Sequence, residues 1–286
     1  MDGTRPISPR GDGEDGKRSR SWTLDDIPYA RIDRSLVAPD QLLFGLIASA
    51  SFIEITSETY ARNLVAFCAG DDEVVAWLQQ GWQREEVQHG AALRRYVETV
   101  WPEFDWEAAY RSFLVDYMRV CSVELLAPSR ALEMVARCVV ETGTSSFYRM
   151  LADAAPEPVL RRLAAFISRD EVDHYRHFYR YFRLYAARER PSRVAILKTL
   201  LRRTVNVDAE DAAIAFKHVR IASRPEMPYR SEEYAAFRRT VLPLAQRHYR
   251  FDLAMKMLLR PLGLGGFAAR VAVRIGTVAA RRFLFA

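Results

Sequence analysis

Glu85-Glu86-Val87-Gln88-His89 and Asp170-Glu171-Val172-Asp173-His174 repeat one pattern: a carboxylate doublet, two residues, then histidine. Upstream of each lies a glutamate in an apolar, helix-forming stretch, Glu54 before the first and Glu141 before the second. The separations nearly match, with 31 residues between Glu54 and Glu86 and 29 between Glu141 and Glu171. A helix advances about 100° per residue, so Glu and His at i and i+3 project from one face, one turn apart.

One glutamate from each of two helices, with Glu-x-x-His from each of two others, is the ligand set of carboxylate-bridged di-metal four-helix bundles. A single such motif is equally well a surface glutamate beside a satisfied core histidine. Two copies, each with its upstream glutamate, select Glu54, Glu86, His89, Glu141, Glu171 and His174 as metal ligands. Four carboxylates and two neutral imidazoles carry about −4, which balances two divalent cations in a dry core. Oxygen-rich ligation with one imidazole per metal suits iron or manganese better than thiolate-seeking ions.

Composition agrees with an all-α chain. Half of the 286 residues are apolar and 12% are aromatic, glycine and proline are sparse between 41 and 150, and no strand-like alternation runs through the sequence. The net charge of +6 rests on arginine, with lysine only at 17, 198, 217 and 256. That balance suits an acidic partner or an anionic membrane, and no nucleic-acid motif accompanies it. Cys68, Cys121 and Cys138 lack metal or redox spacing and read as small core residues of a reducing compartment. Residues 1–21 are Gly, Asp, Arg, Ser and Pro rich, read as disordered, and lack a signal-peptide core. The longest uncharged run, Gln41 to Ile53, is too short to span a bilayer. A cytoplasmic location follows.

The spacing predicts one helix from Asp40 to Cys68 carrying Glu54 and Glu58, then a second from Glu73 to Val100, capped by Asp71 or Asp72 and carrying Glu86 and His89. A third, Arg130 to Ala154, bears Glu141. The fourth, Pro158 to Arg188, bears Glu171 and His174. An extra helix over Trp106 to Cys121 lengthens the join between the second and third, as in a ferritin-like bundle with a long crossover. Residues 192–258 read as further helices, clearest at Asp208–Arg220 and Ser231–Met257. His218 and His248 lack a carboxylate partner at helical spacing, and His177 reads as peripheral. The chain thus divides into 1–21, a helical metal-binding domain over 22–258, and a basic amphipathic segment over 259–286. In that last segment Arg270, Arg274 and Arg281 recur beside Val271, Ile275 and Val278, with Phe267, Phe283 and Phe285. Peripheral membrane contact through 262–286 is one expectation; packing on the bundle or in a homodimer is the plainer one.

Trp82-Gln83-Arg84-Glu85-Glu86-Val87-Gln88-His89-Gly90-Ala91-Ala92-Leu93 resembles the soluble acyl-carrier-protein desaturases, whose motif reads Trp-x-x-Glu-Glu-x-x-His-Gly-x-x-Leu. Glu54 with Tyr60, Glu141-Thr142-Gly143-Thr144, and Asp170 through His174 are similar to the other ligand helices of that family. The likeness covers about residues 40–185. The arginine that the family places before each motif histidine is Gln88 and Asp173 here. The resemblance implies a di-iron centre with Glu86 and Glu171 bridging and Thr144 beside bound oxygen. Glu85 and Asp170 would hold the imidazoles by their other nitrogen. It also implies an acyl substrate, carried on acyl carrier protein or drawn from lipid, and an external electron donor such as ferredoxin. The leading expectation is an oxygen-dependent di-iron oxidoreductase, a desaturase or related oxygenase. Alternatives are a ferritin-like iron store, an N-oxygenase, or a radical generator using Tyr60, Tyr148 or Tyr175. Phe52, Phe147 and Phe166 are candidate channel residues, although aromatics at helical spacing are more often core.

Overall fold

Asp40 starts the first site-bearing helix by accepting hydrogen bonds from the Leu42 and Leu43 amides at 2.9 and 3.0 Å. In the computed structural model, which describes residues 21–121 and 126–285 with the side chains of 205–210 and 283–285 left out, that helix is α1 (Gln41–Ile55). The expected single helix to Cys68 is interrupted at Thr56. Its hydroxyl bonds back to the Phe52 carbonyl at 2.6 Å, while its amide turns to Ile53 at 3.2 Å, which tightens the chain before α2 (Ser57–Phe67). The interruption turns Glu58 to solvent and leaves Glu54 buried.

Past Gly70, whose φ of 88° makes the turn, α3 (Asp72–Trp77) runs into α4 (Gln83–Val100) through a π-turn at Leu78–Trp82. There the Gln83 amide reaches the Leu78 carbonyl, five residues back. The extra residue rotates α4 relative to α3 just before the Glu-Glu-x-x-His stretch. Asp71 stands at the N-cap of α3 but makes no capping bond.

The third and fourth helices match expectation closely: α6 is Arg130–Ala154 and α7 is Pro158–Glu189, with α5 (Trp106–Tyr117) before them. Ser129 caps α6 and Glu157 caps α7, with Pro158 in the first turn. α8 (Arg193–Ser223) is far longer than Asp208–Arg220. The stretch expected as one helix from Ser231 to Met257 is α9 (Glu232–His248) and α10 (Phe251–Leu259). The break falls at Tyr249-Arg250 and not at Pro243, which lies inside α9. α11 (Gly266–Phe285) closes the described chain. No strand occurs among the described residues, so the fold is all-α.

Side-chain pairs give the helix directions. Phe44 meets Trp101 at one end of α1 and α4, and Ile55 lies against Gly90 toward the other, so these two are antiparallel. The Ala131 amide bonds to Glu189, and Ser168 bonds to the Ser145 carbonyl, so α6 and α7 are antiparallel too. Across the pairs, Glu85 meets His174 and His89 meets Asp170, while Glu54 meets Tyr148. The order is therefore up, down, down, up. Val100 ends near the start of α1, whereas Arg130 binds the Phe67 and Ala69 carbonyls at the far end. The connection through α5 carries the chain back along the bundle.

Two apolar clusters fill the interior. One gathers Phe44, Phe52, Leu93, Tyr96, Tyr148 and Leu160; the other gathers Leu64, Leu78, Cys138, Tyr175, Phe178 and Tyr181. On each of the four helices the glutamate or Glu-x-x-His falls at the boundary between them. A polar layer thus crosses the bundle between two dry cores. The one helical stretch long and apolar enough to cross a membrane among the described residues, Gln41–Phe67, is 61% buried inside this bundle across its most apolar window.

Candidate metal centre

Glu54 on α1, Glu86 and His89 on α4, Glu141 on α6, and Glu171 and His174 on α7 all point into that layer and are all buried. Glu54, Glu86, His89 and Glu171 form one group, and Glu86, Glu141, Glu171 and His174 form another. Within each, one ligand atom per residue lies within 4.8 Å of the others. Glu86 and Glu171 belong to both groups, the placement a bridging carboxylate requires.

The histidines show what the groups are built to take. His89 Nε2 lies 3.1 Å from Asp170 Oδ2, and His174 Nε2 lies 2.8 Å from Glu85 Oε2. Each doublet's first carboxylate therefore holds the other motif's histidine. With the proton on Nε2, the Nδ1 lone pair of each ring faces carboxylate oxygen: His89 Nδ1 is 3.1 Å from Glu171, and His174 Nδ1 is 3.3 Å from Glu86 and 3.6 Å from Glu141. Lone pairs opposed at that range repel unless a cation lies between them. Both Nδ1 atoms, Glu141 Oε2 and Glu171 Oε1 are buried without a hydrogen-bond partner among the described residues. These residues fit a pair of divalent metal ions.

Titration tells the same story, with protons as the alternative cations. Burial, then the charges of Glu171 and Glu54, raises Glu86 well above the usual carboxylate range. Burial and Glu171 push Glu141 up to about 8. Burial opposes charge on His89 and His174, yet their carboxylate partners hold both well above the ordinary imidazole value. Glu171 is the exception: burial works against it, but once protons occupy the inward Nδ1 atoms, His89 at 3.1 Å and the charges of both imidazoles bring it down to about 2.

Around the ligands, Thr144 donates to Glu171 Oε2 at 2.5 Å, which places its hydroxyl against a shared carboxylate. Of the three candidate tyrosines only Tyr148 touches the cluster, donating to Glu54 Oε1 at 2.5 Å. Tyr60 bonds to Glu133 and Tyr175 to the Met257 carbonyl. His177 stacks on Trp77, and His218 pairs with Asp116, both away from the centre. Gln88 donates to the Trp22 carbonyl, and Asp173 pairs with Arg176. Phe52 packs in the core against Trp106 and Phe113. Phe147 lies edge-on to Tyr148, and Phe166 stacks on Trp22. The three cysteines are free thiols.

Sequence reasoning missed Trp22. Its indole donates to Asp170 Oδ2 at 2.6 Å, and its ring lies parallel to His89 with centroids 6.0 Å apart. One carboxylate oxygen thus orients an imidazole and an indole together. Trp22 lies in an irregular lead-in with no helical period, so only an isolated large aromatic beside a presumed tail marked it. The lead-in is anchored elsewhere too, by the Tyr29 hydroxyl on the Ala92 carbonyl. Compared with family models, curated proteins and solved structures, the chain gives no match.

Proposed function

We propose that this protein is an oxygen-dependent di-iron oxidoreductase of ferritin-like architecture, a desaturase or related oxygenase acting on a long acyl chain. The carrying observation is the pair of overlapping buried groups that share Glu86 and Glu171, with both histidine Nδ1 atoms turned inward. The up, down, down, up order with a long return between α4 and α6 supports the ferritin-like reading. The acyl substrate follows from the likeness of Trp82 through Leu93, and of the other ligand segments, to the acyl-carrier-protein desaturases.

Held by Glu54, Glu86, His89, Glu141, Glu171 and His174, two ferrous ions would supply oxygen reduction and C–H oxidation, with electrons from an external donor such as ferredoxin. The chain's own residues set the conditions. Asp170 and Glu85 fix the imidazole tautomers from outside. The apolar clusters on either side exclude water and strengthen each charge interaction in the layer. Thr144 holds one oxygen of Glu171 by a hydrogen bond.

Tyr148 favours a second reading, a radical-generating protein, because its hydroxyl lies on Glu54. The test is anaerobic iron loading, then oxygen exposure with an acyl-carrier-protein or phospholipid substrate. Substrate-stimulated oxygen consumption with an unsaturated or hydroxylated product supports the first reading. A persistent tyrosyl signal, lost in Tyr148→Phe and formed without organic product, replaces it with the second.

A further inference from the structure

The outer face of α11 is apolar and cationic at once. Phe267, Val271, Ile275 and Val278 are 75, 40, 65 and 61% exposed. At about 100° per residue they fall within roughly 80° of arc. Arg270, Arg274 and Arg281 border that stripe, Arg282 lies on it, and all four are exposed. Phe283 and Phe285 lie outside the described side chains. The opposite face is small, with Ala269, Ala272, Gly276 and Ala280, and it seats on α10. A side chain at Gly276 would lie 2.7 Å from Met255 Sδ.

Across α10 and α11 the one acid is Asp252, 3.7 Å from Lys256, while Arg260 and the four arginines of α11 leave this end of the chain strongly cationic. α11 is also tied to the metal-binding helices. The buried Pro261 and the Gly263 turn join it to α10, and the Tyr175 hydroxyl, next to His174, donates to the Met257 carbonyl of α10 at 2.7 Å.

We propose that α11 lies in the headgroup region of an anionic membrane, with its apolar stripe among the upper acyl carbons and its arginines on lipid phosphates. Charge decides between occupants. A second copy seated on the same face would set arginine against arginine. Anionic lipid neutralises the arginines and buries Phe267 and Ile275 in the same step. The docking does not depend on the reaction catalysed at the metal centre.

The test is flotation of the full-length protein with neutral phosphatidylcholine vesicles and with vesicles containing 30% phosphatidylglycerol. The protein rises with the anionic vesicles only, and salt weakens the association. Removing one surface arginine lowers partitioning about fivefold, so Arg270→Ala/Arg274→Ala lowers it roughly 25-fold. Ile275→Asp or Phe267→Asp, with an unchanged melting temperature, loses binding even at low salt. No flotation at low salt, or flotation unchanged in these variants, overturns the proposal. If Phe267→Asp turns a dimer into a monomer with no effect on vesicles, the stripe belongs to a second copy. If Arg270→Ala/Arg274→Ala loses an acidic acyl carrier protein and not vesicles, the face belongs to that protein. Either result also overturns it.

Discussion

Gly90→Ala is the most instructive single substitution, because one methyl group reports on how tightly α1 and α4 must close around the centre. A β-carbon at position 90 would lie 2.3 Å from the Ile55 nitrogen, 2.5 Å from its Cα and 2.6 Å from its Cβ. Two of those atoms are backbone, so no rotamer change relieves the contact. Ordinary contact begins near 3.4 Å, and the helices must part locally by roughly 1 Å, an overpacking cost of about 1–3 kcal/mol. For a domain of this size that lowers the melting temperature by roughly 2–12 °C. Glu54 and His89 are the chain neighbours of Ile55 and Gly90, with Nδ1 and Oε2 3.9 Å apart, so the same displacement moves two members of one group and spares Glu141 and His174. Gly143→Ala is the control. It lies two residues from Glu141 but has nothing within 4 Å, and replacing a mid-helix glycine stabilises by about 0.5–1 kcal/mol. Thermal melts and metal analysis of both variants should show Gly90→Ala less stable and metal-poor, and Gly143→Ala normal or better. Wild-type stability and metal content in Gly90→Ala would refute the close-approach argument.

Glu86→Ala or Glu171→Ala should abolish binding of both ions, Glu54→Ala should cost one, and Glu58→Ala, facing solvent, should cost neither; elemental analysis distinguishes these three outcomes. Asp170→Asn and Glu85→Gln should each weaken metal affinity about 10–100-fold, because each removes the charge that fixes an imidazole; equal affinity to wild type in a chelator competition argues against that role. The raised groups Glu86, Glu141, His89 and His174 bind more protons folded than unfolded. Their contribution is full below the unfolded values of about 4.3 and 6.5; the part from Glu141 is lost as pH rises through about 8, and the parts from Glu86, His89 and His174 as pH rises through their own raised values. Glu171, brought down to about 2, contributes the opposite way and loses its part as pH falls toward that value. Metal-free protein should therefore lose stability from pH 5 to 9, while metal loading restores it and releases protons; a melting temperature rising across pH 6–9 without metal contradicts this.

The ligand helices were legible because their signals are local and periodic. Glu-x-x-His puts two donors on one helical face whatever the tertiary context. Ser129 and the prolines at 156 and 158 mark the ends of α6 and the start of α7. The interruption at Thr56 and the π-turn at Leu78–Trp82 were not legible, since each depends on which carbonyl one amide or hydroxyl selects within an otherwise helical run. The start of α8 at its Ser192 cap is less plain in the sequence than its second half, because charged residues of both signs interrupt the apolar ones without leaving a clean stripe. Which doublet carboxylate serves which histidine depends on the antiparallel crossing of α4 and α7. A linear motif carries no information about that, nor about Trp22, which reaches Asp170 across 148 residues of chain.

The most direct test of the account is the number and coupling of metal ions in the anaerobically iron-loaded protein. Two irons per chain about 3.5–4 Å apart, seen by elemental analysis together with X-ray absorption, are predicted from the shared Glu86 and Glu171. Both should be lost together in Glu86→Ala. A single tightly held zinc, or two irons showing no metal–metal scattering, would contradict the central claim.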